Sequence, residues 1–159
     1  MASTMASLGE QHLRAKGVSF TSYEYDYRKK GAEAAARSLG VPVSAVLKTL
    51  VVKLADGRTV LLLEPGDKEV SMRNLARALG VKTAELATER EAERLTGYRV
   101  GGIGPFGTRT ELPVFVELSS AEHEDVYVNG GRRGLILGLS LDVLIQSAQA
   151  ELVDASIEK

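Results

Sequence analysis

No cysteine occurs in the 159 residues, which excludes disulfides, thiolate nucleophiles and cysteine-ligated zinc together. Histidine is nearly as scarce. His12 and His123 are the only two, too few and too far apart in sequence for a histidine-based metal site or a Ser-His-Asp arrangement, and no nucleophile-elbow pattern is present. Both are read as surface residues. The formal net charge is −1, which excludes a globally basic nucleic-acid binder and leaves any contact with RNA to a local patch. No apolar run approaches the length that spans a bilayer. Met1 to Ser7 lack the basic start and apolar core of a signal peptide. Residues 1–7 are expected to form a disordered or tag-like N-terminus and residues 8–159 one folded domain. The expected location is cytoplasmic, with no metal, cofactor, membrane or DNA partner.

What is present is an ordinary globular composition, 44% apolar and 26% charged, long enough for a substantial core. One stretch organises the rest: Val46-Leu47-Lys48-Thr49-Leu50-Val51-Val52, a single ammonium inside a β-branched and leucine-rich run. Bounded by Pro42 and by Ala55-Asp56-Gly57-Arg58, it reads as a buried strand feeding a two-residue type I′ hairpin at Asp56-Gly57, returning over Thr59 to Leu63 until Glu64-Pro65-Gly66-Asp67 breaks the pattern. Two readings of Lys48 stand side by side. Burial disfavours a lysine's charged form and a nearby phosphate or carboxylate restores it, which marks a functional or paired group. Alternatively the stem lies on apolar surface and the head snorkels to water.

Around this strand, Ser7 with Glu10 resembles a capping box for a helix ending at Gly17, and Val18 to Tyr25 alternates as a strand with Tyr23 and Tyr25 on one face. That pair is either a stacking platform or plain aromatic packing. Further helices are expected over Ala32 to Leu39, from Ser71 to Leu79, from Thr88 with Glu91 to Thr96, and from Ser140 to about Ala148. Further strands are expected over Val81 to Leu86, Tyr98 to Val100, Pro113 to Leu118, Asp125 to Val128, Arg133 to Leu139 and Ala150 to Val153. Hairpins outnumber βαβ spacings, so the fold class is α+β, one domain with a mixed, largely antiparallel sheet flanked by helices.

Two glycine-rich segments remain. Gly101 to Gly107 lets main-chain N–H groups approach a ligand closely, yet it lacks the features of a P-loop or a dinucleotide fingerprint; a tight crossover explains it equally. Asn129-Gly130-Gly131 reads as a hairpin tip with Arg132 and Arg133 as a basic shoulder, which Arg99, Arg109 and Lys53 would extend if they share its face. The carboxylates read as solvated groups on helical faces.

Together, the Lys48 strand, the Gly101 to Gly107 loop preceded by Thr96-Gly97-Tyr98-Arg99-Val100, and Tyr127-Val128-Asn129-Gly130-Gly131-Arg132-Arg133-Gly134 resemble the YbaK/EbsC family, related to the editing insertion domain of bacterial prolyl-tRNA synthetase. The resemblance covers about Gly17 to Val153. It implies a trans-editing aminoacyl-tRNA deacylase, most typically for Cys-tRNA(Pro), with Lys48 as the catalytic residue. Tyr23, Gly101, Gly102, Ile103, Gly104, Gly130 and Gly131 would bind the substrate, and Arg132 and Arg133 would meet tRNA phosphates. The implied partners are the acceptor end of aminoacyl-tRNA and prolyl-tRNA synthetase. Where the best-known members carry an aromatic near position 31 and an acid near position 136, this chain has Gly31 and Ile136, and Gly104 replaces a common serine. A non-catalytic module that holds a tRNA end or nucleotide and docks on a synthetase is the competing reading. A Schiff-base lysine is a weaker third.

Overall fold

The computed structural model describes residues 5–29 and 31–159. Residues 1–4 of the expected N-terminal tail, and Lys30 in the loop before the second helix, lie outside the described residues. Helix α1 (Leu8–Ala15) starts at the Ser7–Glu10 capping box. There follow β1 (Thr21–Glu24), α2 (Ala32–Leu39), β2 (Val46–Leu54), β3 (Thr59–Pro65), β4 (Lys68–Val70), α3 (Met72–Ala78), β5 (Ala84–Leu86), α4 (Glu89–Thr96), β6 (Val114–Glu117), β7 (Asp125–Asn129), β8 (Leu135–Ser140), α5 (Leu141–Ala148), β9 (Glu151–Val153) and β10 (Ser156–Glu158). Short 3-10 helices occupy Val43–Ala45 and Leu118–Glu122. Among the described residues no helix is long and apolar enough to cross a membrane.

The main sheet has the order β1-β8-β7-β2-β3-β6-β9, with β5 also on β2, while β4 and β10 form a separate ribbon. Two local hairpins, β2–β3 and β7–β8, lie side by side through a parallel β2–β7 contact, and β3–β6 and β6–β9 are also parallel. The expected α+β class and mixed sheet hold. Several boundaries differ for physical reasons. The β2–β3 turn is not type I′: both central residues of that turn need positive φ, and only Gly57 (φ +93°) has it, so the chain turns through one left-handed glycine and closes with Leu54 N–H on Arg58 O at 2.8 Å. The return strand runs on through Glu64 to Pro65, because a proline at the strand end forfeits little of the ladder. Tyr98 to Val100 is not a strand; the Tyr98 ring enters the core, and its hydroxyl donates to Phe106 O at 2.5 Å across the glycine loop.

Strand alternation sorts the side chains. On one face Leu47, Val51, Leu61, Leu63, Val126, Val128, Leu135 and Leu137 form a continuous core under α1, α4 and α5. The opposite face holds two smaller clusters. Val52, Leu62 and Phe115 pack under Leu75 of α3, and Val46 packs with Tyr25 and Tyr127 under Ala35 and Ala36 of α2.

Candidate active site

Lys48 lies on β2 between those two smaller clusters and lines a cavity of about 170 Å³. Several parts of the chain close it. Tyr25 and Tyr27 come from the segment after β1, Gly31, Ala32 and Ala35 from the start of α2, and Gly101, Asn129 and Ile136 from the far side. A wider hollow of about 670 Å³ lies by His12, Phe106 and Gln149, but it contains neither Lys48 nor Gly101. The smaller one gathers the candidate chemistry.

Gly101 is there for a steric reason. Its φ is +96°, and an added Cβ would fall 2.0 Å from the Tyr27 hydroxyl, so only glycine brings main chain to this wall. Gly104 does the same at the back of the loop, where a Cβ would stand 2.0 Å from Asn129 O. The two glycine-rich segments thus pack backbone to backbone. Gly102 serves this packing against the Arg132–Arg133 backbone, while Gly130 makes room for the Leu135 side chain and Gly131 for the Tyr98 ring; none of the three lines the cavity, and the Gly102 N–H is already donated to Arg99 O at 2.9 Å. Ile103 turns into the main core at 7% exposure.

Tyr23 lies on the same sheet face but lines an adjacent groove with Tyr127, their ring centroids 6.0 Å apart. Tyr25, two residues on and just past β1, is the phenol of the Tyr23 and Tyr25 pair that reaches the Lys48 cavity. Burial, then the neighbouring Tyr27, pushes the Tyr25 phenol above its ordinary range, which keeps it a donor at neutral pH. The two arginines are engaged within the chain. Arg133 lies over the Tyr27 ring at 5.2 Å and donates to Val100 O at 2.9 Å. Arg132 donates to Glu24 at 3.2 Å and stands 3.8 Å from buried Glu10. Lys53 pairs with Glu91 at 2.9 Å, and Arg109 packs against Gly97.

No hydrogen bond or ion pair holds the Lys48 amine among the described residues. Directly across the ladder from it stands Glu64, at 0% exposure. This corrects the expectation that the carboxylates are solvated on helical faces; Glu64 and Glu117 are buried strand residues. Ser156 Oγ donates to Glu64 Oε2 at 2.6 Å, and Oε1 has no partner among the described residues. Burial pushes the Glu64 carboxyl above the usual carboxylate range; the Ser156 bond opposes this, the Glu117 charge reinforces it and the Lys48 charge opposes it. No periodicity in the sequence marks Glu64, Tyr27 or Asn129. Gly31 and Ile136, singled out as departures from the resemblance, both face the cavity.

The cavity offers a cation, glycine main chain and phenols, and no serine, threonine or histidine among the described residues lines it; this is the equipment for stabilising charge on a substrate that is attacked by something else. In sequence, the family model for the aminoacyl-tRNA editing domain matches residues 28–146, and the chain belongs to that family. Over 152 residues it is 26% identical to "Putative Cys-tRNA(Pro)/Cys-tRNA(Cys) deacylase EbsC" of Enterococcus faecalis, covering 94% of this chain and 90% of that protein. It is 34% identical over 106 residues to the proline–tRNA ligase of Geobacter sulfurreducens, where the match covers 67% of this chain but only 18% of the ligase. In structure it superposes with TM-score 0.88 on a protein described as "a putative trans-editing enzyme for prolyl tRNA synthetase", 23% identical, over 97% of this chain and 99% of that one. At that identity the likeness speaks for the fold.

Proposed function

We propose that residues 8–159 form a trans-editing enzyme that cleaves the ester of mischarged aminoacyl-tRNA in the cytoplasm, with Cys-tRNA(Pro) as the principal substrate and prolyl-tRNA synthetase as the docking partner. The observation that carries this reading is the free Lys48 amine lining a small cavity walled by Gly101 main chain, in a chain of the editing-domain family. The cavity, about 170 Å³, is below the roughly 300–1,000 Å³ typical of drug-sized ligands. It suits one small aminoacyl group, with the ribose held outside.

For a cysteinyl ester the substrate thiol attacks its own carbonyl carbon, the carbon–oxygen bond to the ribose breaks, and the thiol proton passes to the ribose hydroxyl. The products are a cyclic thioester and free tRNA. Lys48 stabilises the oxyanion, and the Gly101 main chain fixes the ester against it. Alanyl or seryl esters require water in place of the thiol. Gly31 and Ile136 leave this wall apolar, so discrimination among small residues rests on shape, worth only about 1–3 kcal/mol per methylene, and cross-reactivity follows. For phosphate contact Arg133 is the stronger candidate, since Arg132 already faces two carboxylates.

The test is a deacylation panel of cysteine, alanine and serine on proline tRNA, with the parent and Lys48→Ala, with and without prolyl-tRNA synthetase. Release of cysteine by the parent and its loss in the variant support the reading. Protection of the ester by the parent would identify a binding module instead.

A further inference from the structure

The reaction as described uses Lys48 and leaves unexplained the group directly across from it. Glu64 is paired with Lys48 in the β2–β3 register, so both side chains leave the sheet on the same face. Burying a carboxyl completely with one oxygen unpartnered is costly, and costlier still when it is ionised. Two further lysines have partners of their own. Lys68 is ion-paired with Glu158, and Lys159 Nζ donates to Gly66 O at 3.0 Å. The remaining neighbours are acidic. Glu117, on β6, accepts from Ser119 N–H, Ser119 Oγ and Ala155 N–H; although burial works to raise it, these bonds hold it below the usual carboxylate range, so it presents a negative charge. Asp67, on the turn after β3, adds a second. Ser156, on β10, contributes the only hydrogen bond among the described residues, to Oε2. Lys48 is thus the one cation across the ladder from Glu64, and Lys48 itself has no other partner among the described residues.

We propose that Glu64 is a positioning residue for Lys48: while neutral it leaves the ammonium directed at the cavity, and once ionised it draws the ammonium back against β3. This rests on Lys48 being the charge-stabilising group of the deacylation site. Activity then falls on the alkaline side as Glu64 ionises, because the same amine cannot serve both an internal carboxylate and the substrate oxyanion.

The experiment compares single-turnover deacylation of Cys-tRNA(Pro) by the parent and Glu64→Gln from pH 5.5 to 8.5, after subtraction of enzyme-free hydrolysis. Taking the ratio of the two rates cancels the ionisation of the substrate thiol. The glutamine cannot ionise, so the ratio of variant to parent rises with pH, by up to about tenfold per unit above the carboxyl midpoint. A purely packing role shifts the ratio equally at every pH, and a flat ratio overturns the proposal. Lys48→Ala keeps the two claims apart. If it retains full activity, the reading of the site falls; if it is inactive while the ratio stays flat, only the role of Glu64 falls. Should Glu64→Gln fail to fold, carbon-13 titration of the parent decides, since the Lys48 Cε resonance must step at the midpoint of the Glu64 carboxyl, and its absence overturns the proposal.

Discussion

Leu47 and Lys48 are consecutive on β2 and meet opposite surroundings. Leu47, 1% exposed, joins a core that runs without a break beneath three helices. Lys48 faces the side where α2 and α3 cover separate clusters, and the cavity adjoins the α2 cluster, sharing Tyr25, Ala35 and Val46 with it. One face of the sheet is packed for stability. The other is left partly open, and its openness lets a half-buried cation stay unpaired beside a fully buried acid. The contrast teaches that neighbouring positions of one strand can serve opposite ends, one filling the core and the other lining a cavity.

The largest expected effect strikes the packed face. Leu61→Ala removes a fully buried side chain and should lower the unfolding free energy by about 2–5 kcal/mol, measured by urea denaturation, while the folded fraction keeps its deacylation rate. Lys48→Ala is the mirror image. It should cost roughly 10²–10³ in single-turnover rate, the scale of one oxyanion-stabilising donor, and leave the urea midpoint nearly in place. A large loss of stability without loss of rate would reverse the roles of the two faces.

Gly101→Ala falls between these, because the wall of the open face has room only for a glycine backbone. The positive φ and the approach to Tyr27 should cost about 1–3 kcal/mol, with a rise in KM read in the same deacylation assay.

The smallest effects are pH-dependent and have opposite signs in the two regions. Glu64 has a raised folded pKa, so its contribution to stability is fully present below the unfolded carboxyl range and is lost as pH rises through the folded value. Glu64→Gln should therefore gain stability relative to the parent toward neutral pH. Glu91 is held down to about 2 by the Lys53 ammonium and by the Thr88 N–H and hydroxyl, so its contribution is present above the unfolded range and is lost as pH falls toward 2. Glu91→Gln should lose stability at neutral pH and converge with the parent in acid. Thermal melts from pH 3 to pH 8 read both.

Much of the architecture is legible locally. Ser7–Glu10 and Thr88–Glu91 are capping boxes whose reciprocal bonds span three residues, and both helices begin there. Lys48 on a strand, the Gly40 and Gly97 stops and the Ser140 cap follow from equally short-range chemistry. The turn at Asp56-Gly57 misled because the dipeptide suits more than one hairpin geometry, and the extra residue in this loop admits a single left-handed glycine. Tyr98 has the pattern of a strand residue yet turns inward, since its hydroxyl finds Phe106 O.

The resemblance drew Lys48 and Gly101 to one place, and the cavity contains both. It did not point to Glu64 or Tyr27, which no spacing connects to Lys48. Short-range hydrogen bonding and alternation are enough to place an ammonium on a strand. The groups it faces depend on β3 lying antiparallel on one side of β2 and β7 parallel on the other, and that order follows from burying the shared leucine and valine face as a whole, a demand no single stretch of chain encodes.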